Sequence, residues 1–262
     1  MFLIIDDQDV FAATSNREID PQKPSVVFIH GAGQDHTIWV LPKRYFTRHG
    51  YNVVAIDLPG HGRSSGPPLP CIEDMADWVI RVVEALGIEQ VAVVGHSMGT
   101  LVAIETATRH PGRVRAIALV GTAVPMPVSD ALLESSRDND HVALDMLNLW
   151  GHSNAAHIGG NETPGVWMLG TGLRLLERAD PGIVYADLNA CNAYTEGLEH
   201  AKQIECQAML ILGEKDAMTP TRAAKKLQEA LPQAKTVVLK GSGHALLAER
   251  PNQVLDVLIK IV

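Results

Sequence analysis

A serine flanked by glycines is the first residue pattern in this chain with a chemical meaning. The pentapeptide Gly95–Gly99, with Ser97 at its centre, follows the β-branched apolar run Val91–Val94 and precedes apolar residues at helical spacing. A strand that turns into a helix within one or two residues crowds the backbone, and glycines relieve that crowding. The pattern predicts a serine hydroxyl at the tip of a sharp turn, beside a helix N-terminus.

Two further residues could activate that hydroxyl. A serine needs a base to take its proton, and the base needs an acid to orient it. His244 lies in a glycine-flanked loop after one predicted strand, and Asp216 follows another. Each alone would more often be an ordinary loop residue. The chain order Ser97, Asp216, His244, with all three at strand ends on one sheet edge, favours a catalytic triad.

A tetrahedral intermediate also needs donors for its negative oxygen. The backbone N–H of Met98, at the start of the predicted helix, is one candidate. The other is the N–H of Ala32, in a glycine loop that follows an earlier strand. Gly31 and Gly33 would let that backbone approach a ligand closely, although a glycine loop can equally be a tight turn.

Strands and helices alternate along the sequence. Apolar and β-branched runs predict strands at 2–5, 10–13, 26–29, 53–56, 91–94, 114–120, 207–212 and 235–239, and helical patterns fall at 38–49, 72–86, after Gly99, up to Ala230 and from Pro251. This alternation predicts an α/β fold with a mostly parallel sheet covered by helices on both faces. Thr219 and Pro220 read as an N-cap followed by proline at the first helical position.

The alternation of strand and helix patterns stops between residues 125 and 197, where helical patterns rich in Met, Leu and Trp follow one another without a strand. We expect residues 1–124 and 198–262 to form the core and residues 125–197 a helical lid. Methionine and tryptophan suit apolar pockets of varied shape. Substrate-binding residues are therefore predicted at Met126, Trp150 and Trp167, together with Gly31.

Composition narrows the class of partner. The 262 residues carry a formal charge of −8, with 46% hydrophobic and 20% charged residues. This balance is ordinary for a globular protein and argues against nucleic acid or an anionic membrane surface as partner. We expect no signal peptide or transmembrane helix. Three cysteines without metal-ligand spacing, Cys71, Cys191 and Cys206, favour a reduced cytoplasmic compartment.

Several sequence blocks resemble the α/β-hydrolase superfamily over essentially the whole chain. They are His30-Gly31, Asp57–Ser64, Gly95–Gly99, Gly213–Asp216 and Gly243-His244. The resemblance implies an eight-stranded, mostly parallel sheet, a helical lid after the sixth strand and no cofactor. It also implies a structural rather than catalytic role for His61 and Arg63.

The same resemblance narrows the reaction. Haloalkane dehalogenases and epoxide hydrolases of the superfamily have aspartate where this chain has Ser97. Meta-cleavage C–C bond hydrolases keep the serine but typically carry tryptophan after the histidine, where this chain has Ala245. A carboxylesterase-like enzyme acting on a small to medium, largely apolar ester or thioester is therefore favoured. A C–C bond hydrolase, a cofactor-free lyase or oxygenase, and a non-catalytic ligand-binding protein stay open.

The remaining histidines give no metal site by spacing. His152 and His157, five residues apart, do not share a helical face and have no neighbouring cysteine or acidic ligand at suitable spacing. We therefore predict no metal.

Overall fold

One sheet organises the chain. The computed structural model describes residues 1–15, 18–160, 162 and 165–262. Within them the strands are β1 Phe2–Ile5, β2 Gln8–Ala13, β3 Ser25–Ile29, β4 Asn52–Ile56, β5 Val91–His96, β6 Val114–Val120, β7 Gln207–Gly213 and β8 Lys235–Leu239. They form an eight-stranded sheet in the order β1-β2-β4-β3-β5-β6-β7-β8.

Strand direction separates one edge of the sheet from the rest. β1 pairs antiparallel with β2, and β2 pairs antiparallel with β4. From β4 to β8 every pairing is parallel. All residues of β3, β4 and β5 are buried, as expected of strands covered on both faces. The predicted α/β fold is confirmed, and its parallel strands bring their carboxyl ends to one edge.

Helices cover both faces of that sheet. Those of the core are α1 Val40–Arg48, α2 Ile72–Ala85, α3 Met98–Arg109, α10 Lys225–Ala230, α11 Leu246–Glu249 and α12 Pro251–Leu258. One apolar cluster joins α2 and α3 to the sheet, and a second joins α1 and α12 to its other face. No helix in the described part of the chain has the length and apolar character needed to cross a bilayer.

In the described part of the chain, six further helices lie between β6 and β7. They are α4 Asp130–Arg137, α5 His141–Gly151, α6 Asn154–His157, α7 Met168–Leu176, α8 Ile183–Ala193 and α9 Gly197–Ala201. The described residues of this stretch, which we call the helical insertion (residues 121–206), contain no strand. Helices α4, α5, α7 and α8 pack around their own apolar cluster, and Ala32 of the core lies against it. The insertion therefore rests on the loop that follows β3.

The prediction that Thr219 caps a helix is wrong. Pro220, with φ −59° and ψ 145°, is itself the N-cap of a 3-10 turn at Thr221–Ala224, and no side chain caps that turn. The Thr219 hydroxyl instead donates to Asp216 Oδ2 at 2.7 Å. A buried carboxylate is a stronger acceptor than a backbone group, so this hydroxyl bonds the carboxylate three residues earlier and does not cap a helix.

Candidate active site

Ser97 is the single residue between β5 and α3. Its φ of 52° and ψ of −119° are strained for a residue with a side chain. A β-carbon at Gly95 would lie 2.0 Å from the carbonyl oxygen of Gly99, and one at Gly99 would lie 2.5 Å from that of Ile29. Both glycines are therefore required for α3 to start this close to the sheet, which brings Ser97 to the sheet edge.

Asp216 lies in the loop after β7 and is 4% exposed. Its Oδ1 accepts the N–H groups of Met218 at 2.9 Å and Thr219 at 2.7 Å. Its Oδ2 accepts the Thr219 hydroxyl and Nδ1–H of His244 at 2.8 Å. Burial alone would raise the pKa of this carboxyl, but the His244 charge and these hydrogen bonds lower it to about 2. Asp216 is an ionised, fully bonded acceptor at neutral pH.

His244 lies in the loop between β8 and α11 with its two ring nitrogens in different environments. Nδ1–H donates to Asp216, so the Nε2 position carries the lone pair when the ring is neutral. Nε2 is buried and has no hydrogen-bond partner among the described residues. His96 Nε2–H donates to the His244 carbonyl oxygen at 3.0 Å, and burial lowers the pKa of His96 to about 3. The neutral His96 thus fixes the backbone of His244, and His244 Nε2 stays without a partner in the described part of the chain.

Gly121 is a site residue that the sequence did not reveal. It follows β6 directly, with φ +65°, and a β-carbon there would lie 3.1 Å from both Cε1 and Nδ1 of the His244 ring. Its position just after a strand on the same sheet edge was the available signal. The glycine keeps space open for the imidazole.

The two predicted oxyanion donors share one property. Neither Met98 N–H nor Ala32 N–H donates to any acceptor among the described residues. The amides on either side of Ala32 are engaged, since Gly31 N–H donates to Gln34 Oε1 at 3.1 Å and Gly33 N–H to Asp187 Oδ2 at 2.8 Å. Ala32 thus offers a free N–H from a loop held on both sides.

A cavity of about 1110 Å³ lies between the core and the helical insertion. Both Ser97 and His244 line it, as do all four predicted substrate-binding residues and Ala32; these are Gly31, Ala32, Met126, Trp150 and Trp167. Trp167 is 74% exposed and so lies at the rim. The Met98 side chain points into the apolar core, which leaves its backbone as the only part suited to the site. Leucine and methionine side chains make most of the wall apolar.

His152 adds a polar group to that wall, and the sequence suggested no role for it. Its Nδ1–H donates to the Asn148 carbonyl oxygen at 2.8 Å, and burial lowers its pKa. The ring is therefore neutral at pH 7, with an acceptor lone pair on Nε2. His152 can accept a hydrogen bond from a group in the cavity.

Glu249 holds the insertion against the histidine loop. Its Oε1 accepts Ser153 N–H and Gly243 N–H, each at 3.1 Å, and the side chain is almost fully buried. Beside it, Ala245 N–H donates to the Gly151 carbonyl oxygen at 2.7 Å. The start of α6 and the loop carrying His244 are therefore one packed unit.

Among the described residues, one group has ligand atoms close enough to share a metal ion, Asp35 with His36 and Asp57. Asp57 Oδ1 already accepts His36 N–H at 2.7 Å and its ring Nδ1–H at 2.8 Å, and Asp35 Oδ1 accepts Thr37 N–H at 2.8 Å. These bonds hold the turn before α1 and give the cluster a structural role.

Comparison with known proteins places the fold in a family. A model described as the alpha/beta hydrolase family matches residues 26–257. This chain belongs to the alpha/beta hydrolase family. The resemblance to this superfamily, seen in the motifs around Ser97 and His244, is therefore confirmed. Hydrolase activity is the general expectation for a member.

Individual relatives extend over most of the chain. The (E)-2-((N-methylformamido)methylene)succinate hydrolase of Acinetobacter baylyi is 24% identical over 236 residues, covering 87% of this chain and 86% of that protein. The putative carbamate hydrolase RutD of Escherichia coli is 29% identical over 251 residues, covering 87% of each. The solved structure of Est816, described as an N-acyl homoserine lactone degrading enzyme, has a TM-score of 0.85 at 22% identity over 100% of both chains, which shows a shared fold.

Proposed function

We propose that this alpha/beta hydrolase is a serine hydrolase that cleaves a small to medium, largely apolar carboxylic ester or thioester through an acyl-enzyme. The observation that carries the proposal is the hydrogen bond of His244 Nδ1 to the ionised Asp216, with His244 and Ser97 lining one cavity. An ionised acid behind the imidazole and a free Nε2 in front of it are the arrangement that activates a serine.

The first half-reaction forms the acyl-enzyme. His244 Nε2 takes the proton of Ser97 Oγ as that oxygen bonds to the carbonyl carbon of the substrate. The carbonyl electron pair moves onto its oxygen, which the N–H groups of Ala32 and Met98 stabilise. When the carbonyl re-forms, the bond to the leaving group breaks and the imidazolium gives its proton to the departing oxygen or sulfur. Asp216 stabilises the transient positive charge on His244.

The second half-reaction repeats these steps with water. His244 Nε2 takes a proton from water, whose oxygen adds to the acyl carbon, and the same two N–H groups hold the new oxyanion. The intermediate expels Ser97 Oγ, which recovers the proton from His244. The products are a carboxylic acid and an alcohol or thiol, and the enzyme is regenerated.

The preference for apolar acyl groups rests on the cavity wall. Met126, Trp150 and Trp167 would contact the substrate, with residues 125–197 acting as the lid over it. The names of the relatives, a succinate derivative hydrolase and a carbamate hydrolase, support carbonyl chemistry at such a site and leave room for polar substrates. Three free cysteines agree with a cytoplasmic location.

The test compares wild type with Ser97→Ala on p-nitrophenyl esters of increasing acyl length. We expect the variant to lose roughly 10⁶-fold in kcat, by analogy with dissected triads. A fluorophosphonate probe should label wild type at Ser97 and leave the variant unlabelled. Turnover by Ser97→Ala at near wild-type rate would show that the assignment is wrong.

A vinylogous diketone in the same panel separates the alternatives. Its cleavage in preference to all esters would favour a C–C bond hydrolase despite Ala245. Absence of probe labelling and of turnover on every substrate would favour a ligand-binding protein on the same fold.

A further inference from the structure

The insertion reaches the oxyanion loop through a buried carboxylate. Asp187 lies on α8, is fully buried, and its Oδ2 accepts Gly33 N–H at 2.8 Å. The same oxygen pairs with His61 Nε2 at 2.8 Å. One atom of the insertion thus joins two separate segments of the core, the loop after β3 and the loop after β4.

His61 is the core side chain that pairs with this carboxylate. Its Nδ1 lies 3.0 Å from the Pro59 carbonyl oxygen, and its Nε2 faces Asp187. A carbonyl oxygen and a carboxylate are both acceptors, so this pairing favours hydrogen on both ring nitrogens. Although burial by itself lowers the pKa of His61, the Asp187 charge raises it. A buried pair of this kind resists displacement, since moving either partner leaves the other unpaired.

The geometry of the loop makes Ala32 the group affected. Asp187 fixes the peptide that joins Ala32 to Gly33. The preceding peptide carries the Ala32 N–H, and its Gly31 carbonyl oxygen accepts His30 Nδ1–H at 2.9 Å and Gln34 N–H at 3.2 Å. Gly33 has φ +65°, and a β-carbon there would lie 2.9 Å from Val184 Cγ2, one turn before Asp187 on α8. The loop is pressed between α8 and the sheet, with the Ala32 N–H left free.

We propose that Asp187 is a positioning residue for the oxyanion hole. By holding Gly33 N–H it fixes the Ala32–Gly33 peptide and so limits rotation of the adjoining peptide, which carries the Ala32 N–H. The insertion then supplies part of the preorganisation of the catalytic site as well as the cavity wall. The inference rests on the proposed function, in which Ala32 stabilises the oxyanion. It predicts that loss of this acceptor raises the barrier to the transition state more than it weakens substrate binding.

Two variants separate the acceptor from the charge. Asp187→Asn removes the charge opposite His61 but keeps an oxygen that can accept Gly33 N–H; Asp187→Ala removes both. We expect Asp187→Ala to lose about 10- to 100-fold in kcat, with KM changed less than about threefold, because a misplaced donor costs less than a deleted one. Asp187→Asn should recover most of kcat. Both variants should lose stability, so urea unfolding would not distinguish them.

A tetrahedral inhibitor supplies the readout that a purely structural role would not change. A phenylboronic acid forms a tetrahedral adduct on serine, so its Ki should rise with the fall in kcat/KM in Asp187→Ala and change little in Asp187→Asn. Asn192→Ala is the matched control, since it lies on the same helix and bonds Val128 N–H, away from the loop. It should keep wild-type kcat.

The inference is overturned if folded Asp187→Ala keeps kcat within threefold of Asn192→Ala, or if Asp187→Asn and Asp187→Ala lose kcat equally. If Asp187→Ala does not fold, Asp187→Cys takes its place. Cysteine is closer to aspartate in volume and is only a weak acceptor, so the same loss of kcat is expected. The serine hydrolase proposal fails separately, on wild type, if Ser97 neither reacts with the fluorophosphonate probe nor turns over esters.

Discussion

The ionised state of Asp216 depends on the hydrogen-bond donors around it. Four donors from Met218, Thr219 and His244 converge on its two oxygens. Burial without those donors would favour the neutral acid, which could not stabilise an imidazolium. The donors of the loop therefore keep this carboxylate ionised, and the ionised form should stabilise the fold.

The carboxylate of Asp216 should stabilise the fold only above the pH range in which it titrates. Its pKa is about 2 in the folded protein against an ordinary 3.8. A lowered folded pKa contributes stability above the unfolded pKa that is lost as pH falls through the folded value. The contribution is about 2 kcal/mol at neutral pH, with about 1 kcal/mol of it gone at pH 3.

Urea unfolding of wild type and Asp216→Asn at pH 7, 5, 4 and 3 measures this contribution. The gap in unfolding free energy should be constant from pH 7 to 5 and should narrow at pH 4 and 3. A gap that stays unchanged down to pH 3 would contradict an ionised, stabilising Asp216.

Gly121→Ala should reduce activity by crowding the His244 ring. The new β-carbon would lie 3.1 Å from two ring atoms, so the imidazole must shift by a few tenths of an ångström from the position in which it bonds Asp216. We expect a fall in kcat/KM of about 100-fold, in line with small misplacements in active sites. Gly87→Ala is the matched control, because its φ of +67° carries the same backbone strain but nothing lies within 4 Å. Similar losses of activity in both variants would refute a crowding effect.

The sequence predicted some of these residues and not others, for a physical reason. Ser97 could be found because its glycines and the strand before it are local. Asp216 and His244 could be placed because strand ends meet at one edge of a parallel sheet. Thr219 bonds Asp216 only three residues away, but the capping pattern of Thr219 and Pro220 pointed to a helix instead. The role of Gly121 depends on contact with His244, far along the chain, and its place after a strand was only a weak signal.

The elements themselves were predictable to within a few residues. Apolar runs and helical stripes predicted β3 to β7 and α2, since each of these elements buries its own pattern. β8 was predicted as well, although only Leu239 of that edge strand is buried. How α8 and α6 meet the core could not be predicted. Those contacts depend on single buried carboxylates, Asp187 and Glu249, whose partners lie outside their own helices.

Removal of the Glu249 carboxylate should loosen the insertion from the histidine loop. Ser153 N–H and Gly243 N–H share its Oε1, and Glu249→Ala would leave both buried donors without an acceptor. We expect a loss of about 3 kcal/mol in unfolding free energy, together with a lower kcat. Glu249→Gln keeps an acceptor oxygen of the same reach and should lose much less of both. Equal losses in the two variants would show that this acceptor does not hold the loops together.

In the molecule as a whole, the core and the insertion contribute different parts of the candidate site. The sheet edge supplies Ser97, Asp216 and His244, and the insertion supplies most of the apolar wall of the cavity. His152 is an exception to that wall, with a neutral ring and a free acceptor nitrogen. Substrate choice is therefore expected to follow from the insertion, while the reacting groups lie on the core and Asp187 of the insertion helps to position them.

The value of kcat/KM should rise with the length of the acyl chain until that chain fills the cavity. Each methylene moved from water to an apolar wall gains about 0.8 kcal/mol, which is about fourfold in kcat/KM. Esters from acetyl to octanoyl should therefore improve by up to that factor per carbon and then level off. Met126 lines the cavity, so Met126→Trp should shorten the optimal acyl chain and leave acetyl turnover within a few fold of wild type. A flat length profile in wild type, or the same optimum in both proteins, would mean that the acyl group does not bind in this cavity.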